Sequence, residues 1–259
     1  MTTMPFFQVD AFATRPLTGN PAAVMPLERW PEDRLLQAIA AENNLSETAF
    51  AVPLDGAEAD FQLRWFTPTV EVDLCGHATL ASGHVLMTGT SIRFATRSGV
   101  LTVSRRGDLL ELDLPAFRTE PGTLPELAAA LGVDGPTFLR AGGNGNAIVL
   151  LDSEAAVRAV RPDFAALASI DRLVTVTAPG IEQDVASRVF AAYHGIPEDP
   201  VTGSAHAALT PLWAERLGHD SFTALQASTR GGLLHCRLQG ERVILGGSCA
   251  TVIVGTFQL

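Results

Sequence analysis

The chain has 259 residues, of which 47% are hydrophobic and 18% are charged, an ordinary balance for a globular protein with length enough for a full core. Its net charge of −10 argues against a nucleic-acid partner, because phosphate binding needs an excess of basic side chains. All 18 basic residues are arginine, so pyridoxal phosphate, which needs a lysine for its Schiff base, is excluded as a cofactor.

The cysteines and the N-terminal sequence together indicate the cellular compartment. Cys75, Cys236 and Cys249 are odd in number and too widely spaced for a disulfide framework or a zinc ribbon. The first residues lack the basic and then apolar pattern of a signal peptide, and no apolar run reaches membrane-spanning length. We therefore expect a cytoplasmic protein without a membrane partner.

Strand patterns dominate the first part of the chain, with two helical patterns among them. The predicted elements are strands 6–12 and 22–25, helix 31–43, strands 45–52 and 61–66, helix 78–87, and strands 91–95, 100–104 and 109–114. Residues 115–125 hold three prolines and a glycine, which predicts a linker, and a short helix follows over residues 124–131. The glycine-rich residues 142–145 lack the spacing and context of a nucleotide-binding loop, so no nucleotide is expected.

One turn motif occurs twice. Gly76 and Gly203, 127 residues apart, are each followed by His or Ser and then by alanine, and each opens an apolar run as a helix start would. Two further matches have nearly the same offset. The Gly-Asn pair beginning at Gly19 recurs 126 residues later, and Arg64, two residues before a phenylalanine, recurs 124 residues later as Arg188.

These offsets predict a duplicated fold. We expect two α+β halves with one internal topology, residues 1–117 and 118–259. The last strand, near residues 248–259, is expected to return to the first half. In such a fold the two glycine turns would face one cleft.

The motifs at residues 8–12, 19–22, 46–50, 75–79 and 199–205, together with residues 226–228, 230–232 and 246–255, resemble the phenazine biosynthesis PhzF-like family. The resemblance runs nearly end to end. It implies the α+β fold of diaminopimelate epimerase, in which two pseudo-symmetric halves each wrap a barrel-like mixed sheet around a central helix, with the site between them.

The resemblance also implies a function. It is that of a cofactor-independent isomerase, often a homodimer, in which a glutamate moves a proton on a small carboxylate-bearing substrate. Glu47 lies in the motif that supplies this glutamate, and His77, Asp199 and Ser204 occupy the motif positions of other site residues. The predicted catalytic residues are therefore Glu47, Asp199 and His77.

The residues themselves support roles of this kind without deciding them. Glu47 lies between Leu45 and the apolar residues 49–52, where a carboxyl group that loses hydration favours its protonated form and suits acid/base chemistry. The alternative is a strand-end glutamate in water. His77 would relay a proton or donate to the substrate. Asp199 would contact an amine or hydroxyl, act as a second acid/base group, or cap a helix.

The predicted substrate-binding residues are Asn20, Gly76, Gly203 and Ser204. A glycine at a helix start lets a ligand approach the backbone, and the free N–H groups there bind anions such as a carboxylate. Either glycine alone is equally well explained as a helix start without a ligand. Ser204 would cap the helix or contact the ligand, and Asn20 is a turn residue that would also line the site.

No metal is expected, because His84 lies seven residues after His77 and His206 has no carboxylate or thiol at ligand spacing. Two other functions stay open. An epimerase with two opposed thiols would need a partner for Cys75, but the equivalent position is Thr202, so a small buried thiol is favoured. A non-catalytic member of the fold would bind an anion and exchange no proton.

Overall fold

The computed structural model describes residues 3–56, 58–140 and 145–259. The first two residues and the glycine-rich residues 142–144, where no nucleotide loop was expected, lie outside the described residues. Within the described ranges, no helix combines the length and the apolar character needed to cross a lipid bilayer.

Strands form most of the regular structure. Up to residue 115 the elements are β1 (Thr3–Ala11), β2 (Asn20–Pro26), α1 (Asp33–Asn43), β3 (Glu47–Pro53), β4 (Phe61–Phe66), β5 (Glu71–Val72), α2 (Gly76–Leu86), β6 (Ser91–Thr96), β7 (Gly99–Arg106) and β8 (Leu109–Pro115). The later elements are β9 (Thr119–Gly122), α3 (Pro125–Leu131), β10 (Thr137–Arg140), β11 (Asn146–Leu150), α4 (Glu154–Ala159), α5 (Phe164–Leu167), β12 (Leu173–Pro179), β13 (Val185–Ala191), a 3-10 turn (Ala192–His194), β14 (Ile196–Asp199), α6 (Gly203–Leu217), β15 (Ser221–Gln226), β16 (Gly232–Gln239), β17 (Arg242–Gly247) and β18 (Cys249–Gln258).

The chain divides into two compact units. Unit 1 contains Met1–Leu114 and Gly246–Leu259, and unit 2 contains Pro115–Leu245. The sequence placed the division between residues 117 and 118. The last strand, β18, pairs antiparallel with β1 and so belongs to unit 1.

The two units have the same order of strand pairings. In unit 1 the sheet runs β18-β1-β2-β3-β4-β6-β7, joined in turn by antiparallel, antiparallel, parallel, antiparallel, parallel and antiparallel pairings. In unit 2 the sheet runs β9-β10-β11-β12-β13-β15-β16, with the same six pairing types in the same order. This identity of topology is what a duplicated sequence produces.

An ion pair at equivalent positions strengthens this correspondence. The Arg64 guanidinium on β4 donates to both carboxylate oxygens of Glu71 at 2.7 and 2.8 Å and lies 5.1 Å from the ring centre of Phe66. The Arg188 guanidinium on β13 donates to both oxygens of Glu198 at 2.7 and 2.9 Å, above Phe190. A bidentate pair of this kind fixes geometry as well as charge, so each pair fixes the same strand contact.

A buried helix forms the centre of each unit. In α2, all residues from Gly76 to Gly83 are buried, and the helix contacts β1, β2, β3, β6, β7 and β18. In α6, Gly203 and the residues from Ala205 to Ala214 are buried. A helix surrounded by protein shows no one-sided apolar stripe, which accounts for the small and apolar residues on every side of both helices.

A second helical layer covers the other face of each sheet. In unit 1, Leu36 and Ile39 of α1 share a core with Met25 and Phe50 from the strands. In unit 2, the short helices α3, α4 and α5 supply the equivalent cover, with Val157 among the residues they bury. The central helix and this outer layer together account for strands such as β3 that are buried on both faces.

The structure corrects one expectation from sequence. The predicted linker at residues 115–125 contains β9, which pairs antiparallel with β10. Pro121 lies within β9, and proline is tolerated there because β9 is an outer strand whose second edge needs no N–H donor. The stretch therefore begins at the boundary between the two units, at Pro115, and continues into the first strand of unit 2.

Close packing of α2 on β7 gives a test of the fold. A methyl group at Gly83 would lie 2.6 Å from Cγ1 and 2.8 Å from Cβ of Val103, which is fully buried. We expect Gly83→Ala to lower the free energy of unfolding by about 1–3 kcal/mol, as overpacking does, which exceeds the roughly 1 kcal/mol that alanine gains over glycine in a helix. Urea denaturation measures this change.

The matched control is Gly89→Ala, because nothing lies within 4 Å of the methyl group it would add. Its stability should stay within about 0.5 kcal/mol of the wild type. Equal stability of the two variants would show that β7 moves away from α2 at little cost, contrary to the packing described.

Candidate active site

Three of the predicted site residues meet in unit 1. Asn20 is the first residue of β2, Glu47 is the first residue of β3, and His77 is the second residue of α2. β2 and β3 are neighbouring parallel strands in which Ala22 is opposite Glu47, so both strands begin at one edge of the sheet. The start of the central helix brings His77 to the same place.

Gly19 sets the direction in which Asn20 enters β2. Its φ is +68°, and a methyl group there would lie 2.2 Å from the carbonyl oxygen of Ala11. Only glycine adopts this left-handed conformation without cost and leaves room for the neighbouring backbone. The turn therefore places Asn20 at the first position of the strand, where its side chain reaches His77.

The imidazole of His77 lies between an amide and a carboxylate. Nδ1 of His77 is 3.2 Å from Nδ2 of Asn20, and Nε2 of His77 is 3.2 Å from Oε2 of Glu47. The His77 side chain is 4% exposed and that of Glu47 is 13% exposed. Burial lowers the pKa of His77 from 6.5 to about 3, because the charged form loses its hydration. His77 is therefore neutral at neutral pH.

The neighbours of His77 fix its tautomer. The amide nitrogen of Asn20 can only donate, so Nδ1 of His77 accepts. The remaining ring proton is then on Nε2, which points to the carboxylate of Glu47. The N–H of the neutral imidazole therefore faces the carboxylate of Glu47 across the 3.2 Å contact.

Cys75 also contacts this imidazole. Its Sγ lies 3.6 Å from Nδ1 of His77, and the residue is the N-cap of α2. A thiol donates weakly, which agrees with Nδ1 as the acceptor. A thiolate is normally stabilised by a charged histidine, and the neutral imidazole of His77 does not supply that charge.

The ligand atoms of Glu47, Cys75 and His77 all lie within 4.8 Å of one another, a cluster that the sequence spacing did not indicate. Their arrangement does not suit one metal ion, because the thiol faces Nδ1 and the carboxylate faces Nε2. An imidazole binds a metal through one nitrogen while the other is turned away. The arrangement is a polar cluster of thiol, imidazole and carboxylate, and the absence of a metal stays a prediction.

Gly76 begins α2 in unit 1, and the other three predicted residues, Asp199, Gly203 and Ser204, lie around the start of α6 in unit 2. The Thr202 hydroxyl donates to the carboxylate of Asp199, and Thr202 is the N-cap of the helix that begins at Gly203. Ser204 follows as a half-buried residue in the first turn. Neither Cys75 nor Thr202 caps its helix with its side chain.

Gln226 is a buried residue whose role the sequence did not reveal. Its Oε1 accepts from the backbone N–H of Thr202 at 2.8 Å, and its Nε2 donates to the carbonyl oxygen of Asp199 at 2.7 Å. These two bonds from β15 hold the turn before α6. The sequence offered Gln226 only as part of a short motif, with no indication of its partner 24 positions away.

At both helix starts a serine hydroxyl donates to the turn that precedes the helix, a contact that we call the serine staple. The Ser98 hydroxyl donates to the carbonyl oxygen of Asp73 at 2.7 Å, and the Ser228 hydroxyl donates to that of Pro200 at 2.8 Å. In each unit the serine lies in the loop after the strand that follows the central helix. The two turns are therefore held by equivalent hydrogen bonds, although the side chains at the two helix starts differ.

The duplicated topology shows which groups unit 2 lacks. Leu173 begins β12 as Glu47 begins β3. Thr202 and Ser204 occupy the positions of Cys75 and His77 at the helix start. The carboxylate, thiol and imidazole that could move a proton at these positions therefore all belong to unit 1.

Known proteins with similar sequences or structures agree with this fold. A family model described as phenazine biosynthesis-like protein matches residues 9–255. An uncharacterized isomerase of Pseudomonas aeruginosa is 51% identical over 99% of both chains. The crystal structure of a PhzF family protein of Enterococcus faecalis has a TM-score of 0.91 and 42% identity, with 100% of both chains covered.

A more distant match concerns the fold alone. The crystal structure of a hydroxyproline epimerase of Agrobacterium vitis has a TM-score of 0.61 and 13% identity, covering 98% of this chain and 92% of that chain. The predicted α+β class with pseudo-symmetric halves of the epimerase type is confirmed.

Two buried histidines should show opposite tautomers. We expect nitrogen NMR to find His77 protonated on Nε2, and His206 protonated on Nδ1, because that atom faces the carbonyl oxygen of Thr202 at 2.9 Å. Burial lowers their pKa values to about 3 and about 4, respectively, from 6.5. Both rings should therefore stay neutral throughout the neutral range.

The same shifts predict a pH dependence of stability. Below pH 6.5 the unfolded chain takes up protons that the folded histidines do not bind, so the free energy of unfolding should fall as the pH drops from 6.5 towards the lowered pKa values. Protonation of His77 in the folded protein near pH 6, or Nδ1–H at that ring, would contradict the assigned hydrogen bonds.

Proposed function

The chain belongs to the phenazine biosynthesis-like protein family, and from this premise we propose that it is a cofactor-independent isomerase. It moves a proton on a small carboxylate-bearing substrate, and Glu47 is the group that carries the proton. The observation on which this proposal rests is the half-buried carboxylate of Glu47 next to the neutral imidazole of His77.

The proposed reaction conserves atoms and electrons within the substrate. Glu47 takes a proton from one carbon, so that a C–H bond breaks and an O–H bond forms. The electron pair left behind is delocalised in the unsaturated substrate, and Glu47 returns the proton to a second carbon. No redox partner is needed, because the double bond moves and the overall composition stays the same.

His77 supports this exchange without taking the proton. Because burial lowers the pKa of His77 to about 3, the ring stays neutral in the neutral range. Its Nε2 lies 3.2 Å from Oε2 of Glu47, so an uncharged ring faces the carboxylate that is proposed to gain and lose the proton.

The starts of the two central helices and the side chains around them would bind the substrate. Backbone N–H groups at the starts of α2 and α6, at Gly76 and Gly203, would bind carboxylate oxygen. Asn20 and Ser204 would add polar contacts. Asp199 would accept from a substrate amine or hydroxyl, while Thr202 orients its carboxylate. The proposal includes a cytoplasmic homodimer without a nucleic-acid or membrane partner.

A thiol-dependent epimerase is the main enzymatic rival. A two-base mechanism would need a second reactive thiol to act with Cys75, and the equivalent residue is Thr202. Burial raises the pKa values of Cys236 and Cys249 to about 12, so both thiols stay protonated. These facts favour the carboxylate over the thiol as the proton carrier.

The substitution Glu47→Gln tests whether Glu47 carries the proton. The variant keeps the size of the side chain and removes its acid/base function, so proton exchange should fall about 100- to 10,000-fold. Candidate cyclic or unsaturated amino acids are incubated with the protein in heavy water, and NMR follows deuterium uptake at carbon. A thermal shift confirms that the variant still binds the candidate that the wild type exchanges.

Two control variants distinguish proton transfer by Glu47 from thiol chemistry at Cys75. Glu42→Gln changes an exposed glutamate five residues away and should exchange like the wild type. Cys75→Ala should keep most of the exchange. Equal exchange by wild type and Glu47→Gln would refute the role of Glu47, and loss in Cys75→Ala alone would indicate thiol chemistry. Binding without exchange by the wild type would indicate the non-catalytic anion-binding function.

A further inference from the structure

A loop with unusual backbone geometry joins β1 to β2 next to the candidate active site. Residues 12–19 connect Ala11 to Asn20, which are opposite each other where these two strands pair. The side chain of Asn20 lies 3.2 Å from that of His77, and His77 lies 3.2 Å from Glu47. The loop therefore begins and ends beside this cluster of side chains.

Leu17 occupies a backbone position in this loop that normally belongs to glycine. The backbone N–H of Thr18 donates to the carbonyl oxygen of Arg15 at 3.3 Å, which closes a turn with Pro16 and Leu17 at its centre. Proline followed by a residue of positive φ is the pattern of a type II turn, which favours glycine or asparagine at the second central position. The φ of Leu17 is +70°, so a branched apolar residue is held there against its conformational preference.

A buried carboxylate holds Leu17 in this conformation. Oδ2 of Asp10 accepts from the backbone N–H of Leu17 at 2.7 Å, and Asp10 is fully buried. A hydrogen bond to a carboxylate is stronger than one between neutral groups. Asp10 is opposite Pro21, the residue after Asn20. The bond therefore fixes the position of Leu17 relative to the strand that carries Asn20.

The side chain that this backbone presents is exposed. Leu17 is 72% exposed, so it contributes little to the core that would offset the cost of its backbone conformation. Residues held in rarely populated conformations cluster at active sites and at contacts with ligands. An exposed apolar side chain gains stability only when a second apolar surface covers it. The packing of unit 1 does not explain Leu17, whereas a ligand bound beside Asn20 does.

We propose that Leu17 is a specificity-determining residue that packs against the apolar part of the substrate. This inference rests on the proposed function, because it takes the cluster of Asn20, His77 and Glu47 as the place where the substrate binds. It narrows the substrate class to carboxylates that carry a ring or an unsaturated hydrocarbon face next to the carbons between which the proton moves. A small polar carboxylate would leave Leu17 in water and bind more weakly.

Titration with benzoate and with acetate tests the contact, because both are carboxylates and only benzoate has an apolar ring. The wild type should bind benzoate on the order of tenfold more tightly, a gain that one covered leucine side chain supplies. Leu17→Gly should lose most of this preference, while its urea midpoint stays at or above that of the wild type because glycine adopts a positive φ without strain. Leu17→Met keeps an apolar side chain and should keep the preference.

The matched control is Ile181→Gly, which removes an apolar side chain that is 80% exposed in unit 2 and should leave the preference unchanged. A wild type without the preference for benzoate, or a folded Leu17→Gly that retains it, would overturn the inference. If Leu17→Gly does not fold, Leu17→Asn decides in the same way, because asparagine is polar and also adopts a positive φ. Failure of the proposed function gives a different result, in which Glu47→Gln exchanges protons like the wild type whatever the preference for benzoate.

Discussion

The loss of hydration at His77 is the constraint from which the chemistry of unit 1 follows. A buried imidazole cannot hold a charge cheaply, so its pKa falls to about 3. It must then satisfy one donor and one acceptor, and Asn20 and Glu47 occupy those two sides. The amide of Asn20, the imidazole of His77 and the carboxylate of Glu47 therefore depend on one another.

The duplication separates what the scaffold needs from what the chemistry needs. Both units keep the bidentate arginine–glutamate pair and the serine staple at the helix start. These contacts stabilise the sheet and its turn whatever ligand is bound. By contrast, unit 2 has Leu173 at the position where unit 1 has Glu47, and the helix starts differ in every reactive side chain. A symmetric fold thus supports an asymmetric set of proton-transfer groups.

Much of this could be read from the sequence because it depends on local chemistry. Small residues after Gly76 and Gly203 predict helix starts, and the helix predicted from residue 78 begins two residues earlier, at Gly76. The repeat offsets work because equivalent turns keep their backbone requirements. The offsets also predict that the two units share one topology. The strand pairings themselves join residues far apart in sequence and have no local signal.

The contacts that the sequence missed are those made by long-range packing. Nothing local indicates that Gln226 holds Asp199 and Thr202, since β15 comes beside the turn only in the folded sheet. The contact of Cys75 with His77 depends on where a helix start directs two side chains. Pro121 was misread because the same residue type marks a linker and an outer strand.

Asn20, Glu47 and His77 lie at the ends of regular elements, where the backbone has rigid support. Glu47 and Asn20 begin neighbouring strands, and His77 lies in the first turn of a helix whose first eight residues are buried. Side chains so placed need little reorganisation before they act, because their backbones are fixed by the sheet and the core. Gly83 lets the helix lie against β7, since any larger residue would meet Val103.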